Sequence, residues 1–303
     1  GWAASPGTCW NIVPTKMARA EMGDTMEKTL PTPNDIKKDF MKKGSCSQAF
    51  CFFLDREFGC TKGIEERAAD PLAGGIILQG HQCGMLWGSS LAIGAECFRR
   101  YDDRGKAIAS AVTATRHVME SYAGRTGSVN CRDVCGHDFT RKIELFAFMM
   151  KFILHINRDC LDLADEWLPE AISSASSGLS AAPKCTQAPL SCASETVKRM
   201  GSGEEEAVMV SGFAGGMGLS GNGCGALSAA IWMRSLSWCR ENPGKSAYNN
   251  PYAKNTLKAF FRANGLEMVC RKITGRRFET MDEHAEFIRN GGCGGIIDAL
   301  ARS

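Results

Sequence analysis

The chain has 303 residues, enough for one large core or two domains of ordinary size. Its 44% hydrophobic and 23% charged content exclude a disordered chain, and no apolar run reaches the roughly 20 residues that cross a bilayer. The 36 basic and 33 acidic side chains alternate in sign and leave a charge of +3, which excludes nucleic acid as the main partner because phosphate neutralisation needs a dense one-signed patch.

Residues 1–33 carry Pro6, Pro14, Pro31 and Pro33 with little periodicity, and are predicted to form an irregular arm. Gly1 to Pro6 lacks the basic region and apolar core of a signal peptide, though it fits the end left after one is cut, so cytoplasmic and exported locations both stay open. Apolar side chains then return at three and four through Asp35–Phe58, Met85–Tyr101, Lys106–Tyr122, Arg141–Ile153 and Leu161–Ser173, which predicts a first helical repeat over 34–172. Its longest apolar stretch, Ile143 to Ile156, is broken by Glu144, Lys151 and His155 and reads as part of a soluble protein. The serine- and alanine-rich segment 173–183 reads as a flexible linker. A second repeat over 184–303 carries periodic segments at Thr186–Met200, Glu204–Met217, Ala226–Cys239, Ala253–Asn264 and Asp282–Ile288. Strand-like alternation is scarce. The expected fold class is therefore all-α, two tandem helical-bundle repeats behind an irregular N-terminal arm.

Fifteen cysteines are the outlier, in a chain too large to need staples. Laid over itself at an offset of about 140 residues, the chain repeats. Gly44-Ser-Cys46-Ser-Gln-Ala answers Pro183-Lys-Cys185-Thr-Gln-Ala, and Gly80-His-Gln-Cys83-Gly answers Gly221-Asn-Gly-Cys224-Gly. Cys97 then answers Cys239, Cys131 answers Cys270, and Cys160 answers Cys293. Ordered agreement at five cysteines marks an internal duplication. Cys9, Cys51, Cys60, Cys135 and Cys192 fall outside it and read as small apolar side chains.

Gly80 and Gly221 can take a left-handed position and turn the backbone, which places Cys83 and Cys224 on the first turn of the next helix. Cys46, Cys185 and Cys293 also stand at or near expected helix starts. Free N–H groups and the helix dipole stabilise a thiolate there, and the same field suits an anionic cluster. Histidine offers less. His81 beside Cys83 has Asn222 in its place in the second copy, His117 and His155 read as core or boundary residues, and His284 as a surface residue. No Cys-x-x-Cys, haem-attachment or zincin motif is present, so any metal would be held only by ligands that folding brings together.

The order Cys, then Gly-x-x-Cys-Gly, then two separated cysteines resembles the C-GCAxxG-C-C family of redox-active proteins, over nearly the whole of residues 44 to 300 as two copies. Ser211 to Ser228, with Gly221-Asn-Gly-Cys224-Gly-Ala at its centre, is the clearest match, whereas Gly84-Met-Leu-Trp-Gly in the first copy is more diverged. The resemblance places the family cysteines at Cys46, Cys83, Cys131 and Cys160, and at Cys185, Cys224, Cys270 and Cys293. It implies redox activity and a distant likeness to split-Soret cytochromes, whose haem-attachment motif is missing here, so covalent c-type haem is not expected.

Four thiolates per copy suit an iron–sulfur cluster, and the first expectation is an electron-transfer protein whose two cysteine quartets ligate such centres; zinc would use the same residues. The alternative is a dithiol–disulfide protein in which Cys83 or Cys224 attacks and a distant cysteine resolves. An exported interaction protein stabilised by disulfides is a third. A redox protein partner is expected, and tight Gly and Ala helix faces suggest a homodimer.

Overall fold

A computed structural model describes residues 33–153, 159–183, 185 and 187–303; the expected arm lies outside them apart from Pro33, which opens the first helix. The described residues form α-helices and short 3-10 turns with no strand, as the helical periodicity predicts. The first copy holds α1 (Pro33–Lys43), α2 (Cys46–Phe58), α3 (Gly63–Ala68), α4 (Gly84–Arg100), α5 (Arg104–Thr126), α6 (Cys131–Cys135), α7 (Lys142–Ile153) and α8 (Asp159–Ser180). The second holds α9 (Cys192–Arg199), α10 (Glu204–Met209), α11 (Gly225–Glu241), α12 (Pro251–Asn264), α13 (Cys270–Thr274), α14 (Met281–Arg289) and α15 (Gly294–Ala301).

Local chemistry sets the breaks. The segment read as one helix from Asp35 divides at Gly44, whose φ of 88° ends α1, and restarts because the Ser45 hydroxyl accepts the Gln48 N–H at 3.2 Å. Ser191 caps α9 in the same way through Ser194 N–H, so that helix begins at Cys192 and not at Thr186. The segment 173–183, read as a linker, is helical as far as Ser180. Ala171, Ala175 and Leu179 return on one face of α8 and are buried, while Gly178 lets α8 approach Ala114 of α5 at backbone distance.

One continuous core joins the copies. The central helices α4 and α11 are buried along most of their length, α4 packing on α2, α5 and α10, and α11 on α3, α9 and α12. Gly88 brings α4 onto the backbone of Ser47 and Cys51, and Gly94 brings it onto Met209. The small-residue face that suggested a dimer is thus used inside the chain. Trp87 and Phe213 meet edge to face across the seam at 4.7 Å, and the Trp232 indole donates to Glu65 O at 3.1 Å. Each fully buried ring of this kind contributes on the order of 3–5 kcal/mol.

Candidate redox site

The cysteine turns are built alike in the two copies. Ahead of Cys83, Gly74 and Gly75 and then Ile76, Ile77 and Leu78 all take positive φ, a left-handed run that L-residues adopt at a cost of roughly 1–2 kcal/mol each. Gly215, Gly216, Met217, Gly218 and Leu219 trace the same path ahead of Cys224. The run aims the Gly74 N–H at the Cys46 sulfur and the Gly215 N–H at the Cys192 sulfur. A short antiparallel bridge, Gln82 with Asn130 and Gly223 with Val269, then pins the distant cysteines together. Cys83 N–H donates to Val129 O at 2.9 Å and Cys131 N–H to His81 O at 2.6 Å; Cys224 N–H donates to Met268 O at 2.8 Å and Cys270 N–H to Asn222 O at 2.5 Å.

Nearly all these cysteines stand at helix starts. Cys46, Cys131, Cys192 and Cys270 open α2, α6, α9 and α13, Cys83, Cys224 and Cys293 cap α4, α11 and α15, and Cys160 is the second residue of α8. Cys46, Cys83, Cys131 and Cys160 line one cavity of about 470 Å³. In the second copy the four that line one small, nearly filled pocket are Cys192, Cys224, Cys270 and Cys293. Cys185 is not among them and lies ahead of α9. Cys192, which sequence matching left aside, stands where Cys46 stands. The shared Ser-Cys pair at the helix cap, Ser45-Cys46 and Ser191-Cys192, is the signal that identifies it. His284, read as a surface residue, is 1% exposed; its Nδ1 meets Leu190 O at 3.0 Å and burial lowers its pKa to about 4.

Electrostatics separates the copies. Cys83 has its pKa lowered, first by the Cys46 thiol that donates to its sulfur, against the opposing effect of burial. The hydroxyl of Tyr122 and the Met85 N–H act in the same direction. Tyr122 is fully buried and its hydroxyl closes no conventional hydrogen bond, so it acts on the sulfur from longer range. Its ring is fixed edge to face on Trp167 at 4.7 Å, and Trp167 stacks on Phe50 at 5.3 Å. Cys46 itself is raised well above the ordinary thiol range, by holding its proton for Cys83 and by burial. Cys131 is raised likewise, first by its hydrogen bond with Cys135 and then by burial. In the second copy burial dominates: Cys192, Cys224 and Cys270 are raised, and Cys293 is pushed up to about 12.

Gly84 completes the pair. A Cβ there would fall 2.4 Å from the Cys46 sulfur, so glycine after Cys83 is what lets the two thiols meet. Between the copies, Gln82 is fully buried and donates to Gly216 O at 3.0 Å while accepting from Gly223 N–H at 2.9 Å. Gly223 holds the equivalent place to Gln82, and its lack of a side chain leaves room for that amide.

This geometry corrects the cofactor expectation. Among the described residues no group of three or more His, Cys, Asp or Glu is arranged to hold a metal ion. The sulfurs of the first copy pair off, Cys46 with Cys83 and Cys131 with Cys135, and do not surround one point as an iron–sulfur or zinc site requires. The iron–sulfur electron-transfer reading is overturned. Nor do resting disulfides replace the cluster, since none of Cys46, Cys83, Cys131, Cys160, Cys185, Cys224, Cys270 and Cys293 is disulfide-bonded. Cys60, outside that set, is disulfide-bonded.

Fold and site together define a duplicated all-α protein whose helix starts gather free cysteines. The chain belongs to the C_GCAxxG_C_C family, whose model, described as "Putative redox-active protein (C_GCAxxG_C_C)", matches residues 45–166 and again residues 184–303. No curated protein and no solved structure matches it. No described helix is long and apolar enough to cross a membrane.

Proposed function

We propose that the chain is a dithiol–disulfide redox protein in which Cys83 attacks and Cys46 resolves. The observation that carries this reading is geometric: Cys46 and Cys83 line one open cavity, and only the bare Gly84 after Cys83 leaves room for the Cys46 sulfur; the lowering of Cys83 beside a raised Cys46 supports it. A thiolate is the attacking species in exchange, and a neighbouring protonated thiol supplies both the leaving-group proton and the second sulfur. A redox protein is the partner that such a pair calls for to restore its electrons. A homodimer, if formed, has the exposed Ile143 and Phe146 of α7 to cover. The second copy takes the role of scaffold, because its sulfurs are held protonated by burial.

The test is peptide mapping of the fully reduced chain after mild oxidation under non-reducing conditions. The expected product is a Cys46–Cys83 disulfide, formed before any bond in the second copy. A first disulfide within Cys192, Cys224, Cys270 and Cys293 overturns the assignment.

A further inference from the structure

The cavity beside the pair has a chemistry of its own. Its volume of about 470 Å³ lies within the range of small-molecule sites, roughly 300–1,000 Å³. Phe40, Phe139 and Phe148 present rings to it, and Leu78, Leu145 and Met149 supply further apolar wall. Phe139 and Phe148 meet edge to face at 4.9 Å, which fixes that side. The second copy adds Ser246, Tyr248 and Asn249 to the lining, which give neutral polar groups. Among the described residues that line the cavity there is no Asp, Glu, Lys, Arg or His. A charged ligand entering it would lose water without meeting a counter-charge, and that loss costs several kcal/mol per ion. The equivalent pocket of the second copy has almost no free volume, so the feature belongs to the copy that carries the paired thiols.

Resting on the dithiol reading above, we infer that the cavity admits a small, uncharged, apolar disulfide bearing aromatic or alkyl groups, and that Cys46 and Cys83 reduce it. The Cys83 thiolate attacks one sulfur of R–S–S–R; a Cys83–S–S–R bond forms and R–S⁻ leaves. The proton on Cys46 passes to that R–S⁻, giving R–SH. The Cys46 thiolate then attacks the Cys83 sulfur, forming the Cys46–Cys83 disulfide and releasing the second R–S⁻, which takes a proton from water. Two electrons move from the protein sulfurs to the substrate sulfurs, and no other oxidant is needed. Charged disulfides such as oxidised glutathione are excluded by the unpaired burial of their carboxylates.

The experiment compares two aromatic disulfides of like reactivity on the reduced full chain at neutral pH: dipyridyl disulfide, which is neutral, and the dinitrobenzoate disulfide, which is a dianion. Each rate is divided by the rate of the same reagent with the urea-unfolded chain. The expected normalised preference for the neutral reagent is at least about 100-fold, with the Cys46–Cys83 disulfide as product. Leu145→Arg, at the half-buried edge of the wall, is expected to reduce that preference at least about tenfold by giving the anion a partner. Equal normalised rates with the Cys46–Cys83 disulfide still formed overturn the substrate class and leave the dithiol standing. Failure of both reagents to join Cys46 to Cys83 overturns the dithiol reading and this inference with it.

Discussion

The two copies of the repeat set four cysteines each on the same scaffold and reach opposite electrostatic outcomes. Cys83 and Cys224 both cap 17-residue helices, follow matching left-handed runs and receive backbone N–H groups from the next turn. Cys83 is nevertheless lowered and Cys224 raised. A helix start with its backbone N–H groups is therefore insufficient here, since burial outweighs them unless a side-chain donor is added at the sulfur. The first copy supplies one such group, the Cys46 thiol, and the Tyr122 hydroxyl acts in the same direction from longer range. In the second copy Cys192 acts on Cys224 as a neighbouring charge, not as a donor, and Phe260 stands where Tyr122 stands, each the same distance before its capping glycine, Gly127 or Gly265. Shape is conserved between the copies, while the donors that tune the thiol are not.

The largest effect that sharpens the contrast comes from removing the two capping thiols separately. Cys83→Ser is expected to slow site-directed alkylation of the reduced chain at neutral pH by roughly 100-fold or more, because it removes the thiolate that reacts fastest. Cys224→Ser should leave that rate unchanged. Iodoacetamide labelling followed by peptide mapping reads both. Equal losses in the two variants would break the comparison outright.

A smaller effect asks whether Tyr122 is the cause. Tyr122→Phe converts the first copy to the second at this position and deletes a buried hydroxyl that closes no hydrogen bond. Cys83 alkylation at neutral pH should slow roughly tenfold, while stability against urea should hold or rise, since an unsatisfied buried polar group costs about 1–3 kcal/mol. A parallel fall in reactivity and stability would point instead to a packing role for the ring. The pH profile of alkylation, shifted upward in the variant, separates the two.

How much of this was legible in the sequence differs between fold and site. The 3.6-residue periodicity and the paired glycines before Cys83 and Cys224 foretold the all-α duplication and the turns, because both follow from local backbone physics. Short helices such as α3, α6 and α13 were not foretold, since five or six residues carry too little periodicity to register. Aligning Gln187-Ala188 with Gln48-Ala49 drew attention to Cys185, whereas the serine cap that positions the sulfur in space precedes Cys192. Ile76, Ile77 and Leu78 were also opaque as a left-handed run, because β-branched and bulky residues ordinarily avoid it. The pairing of Cys131 with Cys135 had its signal in the four-residue spacing. The second copy has Thr274 at the place of Cys135, with its hydroxyl donating to Cys270 O at 2.9 Å.

The smallest effect probes how the second copy closes the cavity of the first. Asp70, 3% exposed, accepts the Ser45 hydroxyl at 2.6 Å, and its other oxygen accepts the Ala247 N–H at 3.1 Å. It thus ties the cap that holds Cys46 to the segment carrying Ser246, Tyr248 and Asn249. Burial raises its pKa to about 6, against the lowering effect of those donors. The unfolded value is about 3.9, so between the two the native state holds a proton that the unfolded chain has released, and stability falls as pH rises through that window. The full difference is about 3 kcal/mol, already expended at neutral pH. Asp70→Asn removes the titration but leaves one oxygen to serve the three donors Ser45, Ser246 and Ala247, which returns part of that gain, so the net change at pH 7 should be about 1 kcal/mol of stabilisation. Urea midpoints of both proteins at pH 4 and pH 7 read the sign: the wild type should lose stability relative to the variant as pH rises. An unchanged difference between the two proteins across that window would show that Asp70 carries its charge in the fold at no cost, and that the tie between the copies is held by its hydrogen bonds alone.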